Sequence, residues 1–485
     1  MTGETVSVNK QTEDDSQVPL VVDLDGTFCR TDTLHEALLT GLVQRPLDVF
    51  LWPKWLGEGR AGFKARVADR GIVAAEDLPF NAAVLETIRT AREGGRKTAL
   101  VSAADHRQVT AIAEATGIFD EAFGSAEGRN LKGDEKTAFL NDHYGPGNFD
   151  YVGDARADLP VWAAARRAIT VGADPKLRQM AETANPQAAH IDPPRNTRLA
   201  MVKALRPHQW SKNLLLFLPM FAAHDFSNLA AVILGFLAFS LTASAVYVLN
   251  DLLDLAADRE HPRKKNRPFA AGDLSAATGV FMAAGLLIAA LLLGILTGQP
   301  MFLGVLALYL ITTFLYSLYL KRKLLVDVLT LAGLYTLRIL AGGAAAAVIF
   351  SPWMLGFSMF LFLSLAAVKR QAELVDLEAT GRESSGGRAY LVEDLPIIRA
   401  MAMSAGHAAV LVLALYISSD DVQRLYSEPA YLWLICLLLL YWSTRMLMKT
   451  HRGAMTDDPI VFAVTDKVSL ALGVASAAIV LAAAF

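Results

Sequence analysis

The sequence predicts an α/β Rossmann-like domain with a small helical cap, followed by an all-α polytopic membrane domain of about nine transmembrane helices. Three observations lead there. Residues 1 to about 195 read as soluble, whereas the rest carries repeated apolar runs, most of them ~18 to 25 residues and long enough to span a bilayer. In the first part, three short apolar strands each run into polar residues able to do chemistry. In the second, the stretch Asn250-Asp251-Leu252-Leu253-Asp254-Leu255-Ala256-Ala257-Asp258 closes an apolar run, and its carboxylates fall at i, i+3 and i+7, one face of a helix.

With 485 residues there is room for two or three domains, and 53% hydrophobic residues place much of the chain in lipid. A formal net charge of -3 argues against general nucleic-acid binding. Cys29 and Cys436 are too far apart in sequence and too unlike in surroundings to suggest a disulfide framework or a thiolate zinc site. Residues 1–17 are polar and acidic without an apolar signal core, so a flexible start and a cytoplasmic N-terminal domain are expected. The expected divisions are 1–17, an α/β domain over 18–175, a linker over 176–202 punctuated by Pro186, Pro193 and Pro194, and a membrane domain over 203–485.

The first strand, Val18 to Val22, runs into Asp23-Leu24-Asp25-Gly26-Thr27. Two carboxylates two residues apart at a strand end can divide nucleophile and proton-transfer roles, with a glycine making the sharp turn. A second strand, Lys97 to Val101, ends at Ser102, whose hydroxyl and following backbone N–H groups suit a phosphate. The third, Phe149 to Val152, ends in Gly153-Asp154 with Asp158 four residues on, adding two metal-ligand candidates. Lys132 and Lys136 flank a turn entering a helix between them.

This ordered set, DLDGT, a strand-end Ser, a Lys and GDARAD, resembles the haloacid dehalogenase (HAD) superfamily of phosphohydrolases over about 20–175. The resemblance implies Asp23 as the nucleophile that takes a phosphoryl group and Asp25 as general acid/base. Ser102 would bind the phosphate and Lys136 neutralise it, with Lys132 the competing lysine; Asp154 would hold Mg2+ with Asp23, supported by Asp158. Residues ~31–88 would form the substrate-choosing cap.

Nine spans are expected at about 212–223, 228–250, 275–297, 300–320, 324–349, 352–368, 399–418, 429–448 and 467–485. Basic residues concentrate in alternate connections: after Asp258 (Arg259 to Arg267), at Lys321-Arg322-Lys323, across Lys369 to Arg399, and from Lys449 to Lys467. The positive-inside rule puts these loops in the cytoplasm and the C-terminus outside. Crowded carboxylates repel unless a cation lies between them, so Asp251, Asp254 and Asp258 form a divalent-metal face, with Mg2+ preferring such oxygen ligands. Arg206 to Asn213, before the first span, read either as an interfacial anchor with Trp210 and Lys212 at headgroup level or as phosphate-binding through Lys212. Arg338 lies near mid-span, where a charge must face a polar cavity, and binds an anion or pairs with Asp327 on the same helical face. Lys369 shares a face with Glu373 and Asp376, as an i,i+4 surface pair or as a ligand-binding group beside Arg370. Arg382, Arg388 and Tyr390 follow in a Gly/Ser-rich loop suited to closing over phosphates.

The aspartate face, nine spans and polar loops resemble the UbiA superfamily of membrane transferases over about 203–485. That resemblance implies Asn250, Asp251, Asp254 and Asp258 as a diphosphate and Mg2+ site. The later helix carries KRQAE where aromatic prenyltransferases of the superfamily carry a second aspartate-rich motif. RPHQWSKN, YSLYLKRKLLVDV, YTLRILAGG, VKRQAEL and MTDDPIVFAVTDK instead resemble the decaprenyl-phosphate phosphoribosyltransferase branch. The implied reaction is transfer of 5-phosphoribose from 5-phosphoribosyl diphosphate to a polyprenyl phosphate, with Arg338, Lys369 and Arg370 holding phosphates. The HAD-like domain would then remove the 5-phosphate, for synthesis of cell-wall arabinan (arabinogalactan) precursors in the plasma membrane. The partners implied are the bilayer, the polyprenyl phosphate and the sugar diphosphate, with homo-oligomerisation left open. The alternative is a prenyltransferase acting on an aromatic or other small acceptor, its HAD-like domain having a separate or regulatory duty.

Overall fold

The computed structural model describes residues 17–126, 129–192, 196–381, 388–455 and 458–484. The expected flexible start, Pro193-Pro194 of the linker and Arg382 of the Gly/Ser-rich loop lie outside them. The chain divides into two compact units, one of residues up to Ala204 with Val248–Phe281, the other Leu205–Tyr247 with Met282–Phe485.

The first unit is built on a parallel sheet of β1 (Leu20–Val22), β2 (Thr98–Asp105), β3 (Glu121–Ser125), β4 (Asp150–Gly153), β5 (Arg167–Val171) and β6 (Ala189–Ile191), in the order β3-β2-β1-β4-β5-β6. Buried on both faces, the central strands β1, β2, β4 and β5 read as largely apolar runs. Their alternation divides the core: Leu20, Val22, Leu100 and Ile169 join one apolar cluster, Val21, Ala99, Val101 and Ala168 the other. Because β1 pairs with β2 on one side and β4 on the other, the winding direction reverses beside it. A crevice opens at such a point outside the carboxyl ends of the strands, where Asp23 stands. The helices of this part are α1 (Thr33–Gln44), α2 (Trp52–Gly57), α3 (Gly59–Ala68), α4 (Ala82–Glu93), α5 (His106–Thr116), α6 (Asp134–Tyr144), α7 (Leu159–Ala164), α8 (Pro175–Ala184) and α9 (Thr197–Leu205). The first three form the small cap, where Trp55, Phe63 and Val67 make a separate apolar cluster. Residues 176–191, read from sequence as linker, instead supply α8 and the edge strand β6, because Ile169–Val171 of β5 still has an open edge to pair.

The remaining helices are α10 (Leu218–Ala222), α11 (Leu229–Leu253), α12 (Leu255–Glu260), α13 (Ala276–Leu296), α14 (Pro300–Leu318), α15 (Val326–Ala346), α16 (Pro352–Ala379), α17 (Leu395–Ile417), α18 (Asp420–Leu425), α19 (Trp433–His451), α20 (Pro459–Thr465) and α21 (Lys467–Ala484). Among the described residues eight helices are long and apolar enough to cross a membrane, α11, α13 to α17, α19 and α21. The expected first span is not one of them: Pro207–Phe217 is a 3-10 helix, continued by the short α10. Lys212 and Asn213 are buried there, and α15 passes so close that a Cβ on Gly342 would lie 1.9 Å from the Leu216 carbonyl oxygen.

Candidate functional site

The carboxyl end of β1 delivers Asp23, whose N–H donates to the Val152 carbonyl of β4 at 2.9 Å. The chain then turns through Gly26 at φ +78°, where a Cβ would lie 2.2 Å from Asp154 Oδ2, so only glycine fits. Oxygens of Asp23, Asp154 and Asp158 come within 4.8 Å of one another. That all-oxygen set fits Mg2+, which takes carboxylates together with waters or phosphate oxygens. Gly153 makes room, since a Cβ there would meet Asp158 Oδ2 at 2.6 Å.

Lys136, in the first turn of α6, is buried and donates to Asp23 Oδ1 at 2.8 Å and to the Tyr151 hydroxyl at 2.7 Å. Tyr151 in turn donates to Asp158 Oδ1 at 3.1 Å. Burial pulls the Lys136 ammonium down, but Asp23 and Asp158 hold it above the usual lysine range. Lys132 lines the same cavity from an exposed position. Asp25 Oδ1 accepts from the Thr33 N–H at 2.7 Å, and burial, with the Asp32 charge beside it, pushes its carboxyl up to about 7. A group there exchanges protons readily near neutrality. Ser102 is buried and β2 continues past it to Asp105; its Oγ accepts the Ala104 N–H at 3.1 Å, one of the donors expected for phosphate.

Asp23, Asp25, Gly26, Ser102, Lys132, Lys136, Asp154 and Asp158 line a cavity of about 810 Å³ shared with the cap residues Leu34, Leu56, Phe63 and Lys64. Lys64 Nζ donates to the Ala103 carbonyl at 2.5 Å and to Asn130 Oδ1 at 3.0 Å, and burial lowers its pKa. Sequence reading missed Lys64 and Tyr151. The phenol had a signal, its place on the strand that ends in Gly153-Asp154; Lys64 had none, because the fold of the cap alone brings α3 to β2.

The aspartate face also belongs to the first unit. The helix expected through it breaks at Asp254 (φ -102°, ψ 16°), between α11 and α12. Asp254 N–H still donates to the Asn250 carbonyl at 3.0 Å and Asp258 N–H to the Asp254 carbonyl at 2.8 Å, so helical stacking survives the break. Asp251 and Asp258 are buried and each directs one oxygen at Arg267 Nη1, 3.1 and 2.5 Å away. Arg267 thus holds the point between Asp251 and Asp258, and among the described residues the three aspartates do not converge on one point as Asp23, Asp154 and Asp158 do. Arg267 entered the sequence reading only as a topology charge; nothing local showed that the loop returns it to the aspartates.

In the second unit Lys212 forms an ion pair with Asp458. Arg338 is buried on α15, donating to Asn213 Oδ1 at 2.9 Å, the Leu334 carbonyl at 2.6 Å and the Tyr309 hydroxyl at 3.3 Å. Phe239, Tyr309 and Tyr335 surround its guanidinium with ring faces. It does not pair with Asp327. That carboxylate meets Arg370 Nη2 at 2.6 Å and accepts from the Tyr316 hydroxyl at 2.8 Å. Glu373 pairs with the buried Arg370 and with Arg388 rather than with the half-buried Lys369. Tyr390 stacks on Arg370 and accepts the Leu325 N–H at 3.1 Å.

The profile of the UbiA prenyltransferase family matches residues 214–463. The chain is 37% identical to the uncharacterized protein y4nM of Sinorhizobium fredii over 95% of its own length and 90% of that relative. It is 36% identical to decaprenyl-phosphate phosphoribosyltransferase of Mycolicibacterium smegmatis, over 42% of this chain and 64% of that one. Among solved structures, a UbiA homolog from Archaeoglobus fulgidus is similar at 15% identity and TM-score 0.46, covering 58% of this chain and 99% of that one. The N-terminal part resembles HAD hydrolases, among them a substrate-bound phosphoserine phosphatase at 18% identity and TM-score 0.26, covering 34% of this chain and 91% of that one.

Proposed function

As the chain belongs to the UbiA prenyltransferase family, we propose that it transfers 5-phosphoribose from 5-phosphoribosyl diphosphate to a polyprenyl phosphate such as decaprenyl phosphate, and that its HAD-like domain then removes the 5-phosphate. The product, a polyprenylphosphoryl ribose, would serve cell-wall arabinan synthesis. The relatives named decaprenyl-phosphate phosphoribosyltransferase support the first step. The observation that carries the pairing of steps is that Val248–Phe281, with the whole aspartate face, folds into one compact unit with the phosphatase-type domain.

In the transfer step an oxygen of the acceptor phosphate attacks the anomeric carbon, and the bond from that carbon to the diphosphate oxygen breaks with its electron pair. The acceptor is already an anion, so no strong base is required; stabilising the departing charge is the larger task. Asn250, Asp251, Asp254 and Asp258 would hold the donor diphosphate with its metal. Lys212, Arg338 and Lys369 are the phosphate-binding candidates, while Arg370, matched by Asp327 and Glu373, holds the frame. In the second step an Asp23 oxygen attacks phosphorus while the Asp25 carboxyl gives its proton to the departing ribose oxygen. Asp25 then takes a proton from the water that releases phosphate from Asp23. Lys136 and Ser102 hold the phosphoryl oxygens. Mg2+, held by Asp23, Asp154 and Asp158 and at the aspartate face, would supply neutralisation of phosphate charge.

We infer from the distribution of Lys and Arg that the first unit lies on the cytoplasmic side, in a plasma-membrane protein.

The test is purified protein with Mg2+, polyprenyl phosphate and 5-phosphoribosyl diphosphate, with lipid products followed by mass. Wild type should yield lipid-linked ribose, Asp23→Asn its 5-phosphate and Asp251→Asn nothing. Transfer from a prenyl diphosphate to an aromatic acceptor, with no product from these substrates, would overturn the reading.

A further inference from the structure

We propose that Arg259–Thr278, the segment following the aspartate face, is the substrate-selecting wall of the phosphatase-type cavity and fits it to a polyol phosphomonoester carried on a membrane lipid. The proposal rests on the phosphatase reading above and names what that site recognises.

The cavity is larger than a phosphate requires, and Asp273, Leu274, Ser275 and Thr278 contribute to its lining. The segment is fastened at two points. Arg259 sets both terminal nitrogens on the buried Glu36 carboxylate at 2.7 and 2.6 Å, and its Nε donates to the Ala270 carbonyl at 3.0 Å. Glu36 also accepts the hydroxyl of Thr31, a cavity residue, at 2.6 Å. Arg30, also at the cavity, holds Asp273 at 2.9 Å. Between the two, Gly272 at φ +70° seats the turn so closely that a Cβ would lie 2.8 Å from Arg30 Cβ and 3.0 Å from Pro79 Cγ. The wall is therefore held in register with the loop that follows Asp23 and Asp25.

Its chemistry points to the ligand. One carboxylate, its charge matched by Arg30, and two hydroxyls can hydrogen-bond the hydroxyls of a sugar. Ser275 Oγ accepts the Thr278 N–H at 3.1 Å and lies 2.8 Å from Thr278 Oγ1, at the start of α13. That helix is long and apolar enough to cross a membrane. The wall thus stands at the end of a membrane-crossing segment, where a lipid-linked head group is presented.

The experiment uses full-length protein in lipid nanodiscs and compares kcat/KM for three phosphomonoesters: the phosphoribosyl lipid made by Asp23→Asn protein, ribose 5-phosphate and p-nitrophenyl phosphate. Wild type should favour the lipid-linked ester over ribose 5-phosphate. Gly272→Val, and separately Ser275→Ala with Thr278→Val, should lower the ratio of lipid-linked to p-nitrophenyl activity at least tenfold, mainly through KM. Arg259→Gln should do the same and Arg259→Lys recover part of it. If Gly272→Val fails to fold, the paired hydroxyl variant still decides. An unchanged ratio in the hydroxyl variant would overturn the wall, and wild-type preference for free ribose 5-phosphate would overturn the lipid-linked ligand. Hydrolysis of p-nitrophenyl phosphate but of neither ribose ester would instead sink the sequential reaction, and this inference with it.

Discussion

Replacing Lys136 by Met tests the phosphatase-type site most directly. The ammonium lies 2.8 Å from Asp23 Oδ1 and 3.9 Å from Asp158 Oδ1, and is buried. At an effective dielectric of about 20, Coulomb's law gives gross attractions of roughly 6 and 4 kcal/mol at these distances. Without that charge an entering phosphate dianion meets the acidic floor with one cation fewer. Only the part felt more strongly in the transition state slows catalysis, as with loss of one preorganised donor, about 10²–10³-fold or about 2.7–4 kcal/mol. Lys132 is exposed, and its removal should cost no more than a surface charge, about 0–1 kcal/mol. Single-turnover dephosphorylation of the phosphoribosyl lipid and steady-state hydrolysis of p-nitrophenyl phosphate would measure both variants. Lys136→Met should accumulate lipid-linked ribose 5-phosphate while transfer continues. Hydrolysis by Lys136→Met within about threefold of wild type, or the larger loss appearing in Lys132→Met, would refute the assignment.

Three further expectations concern the frame. Asp150, buried at the start of β4, accepts from Arg96 at 2.6 Å and from two Arg166 nitrogens at 2.8 and 2.7 Å. Asp150→Ala removes the buried carboxylate that both arginines meet, although Arg96 keeps the Val18 carbonyl, and should destabilise the α/β part by about 3–5 kcal/mol in denaturant titration, with KM for p-nitrophenyl phosphate unchanged at low denaturant. Gly342→Ala places a methyl against the Leu216 carbonyl, so the detergent-solubilised protein should lose its thermal transition at lower temperature than wild type, and an equal midpoint would contradict the close approach. Arg370→Leu leaves the Asp327 carboxylate buried without its ion partner, a cost of about 3–5 kcal/mol, and adding Asp327→Asn should recover folded yield on size-exclusion chromatography.

The sequence by itself determined the two-part architecture, because the relevant signals are local. A strand that must be covered on both faces reads as an apolar run, and a helix in lipid reads as a longer one. DLDGT and GDARAD were legible for the same reason: Gly26 and Gly153 are dictated by carboxylates that would collide with any Cβ. Tertiary structure decided whatever depends on distant partners. Arg267 among the aspartates, Arg370 on Asp327, and the Arg259–Glu36 clasp across 223 residues carry no periodicity or motif. It also decided that Pro207–Ala222 folds largely as a 3-10 helix and that 176–191 finishes the sheet. In each case the outcome turns on an open strand edge, a matching buried charge or a close backbone approach, which exists only once segments far apart in sequence have met.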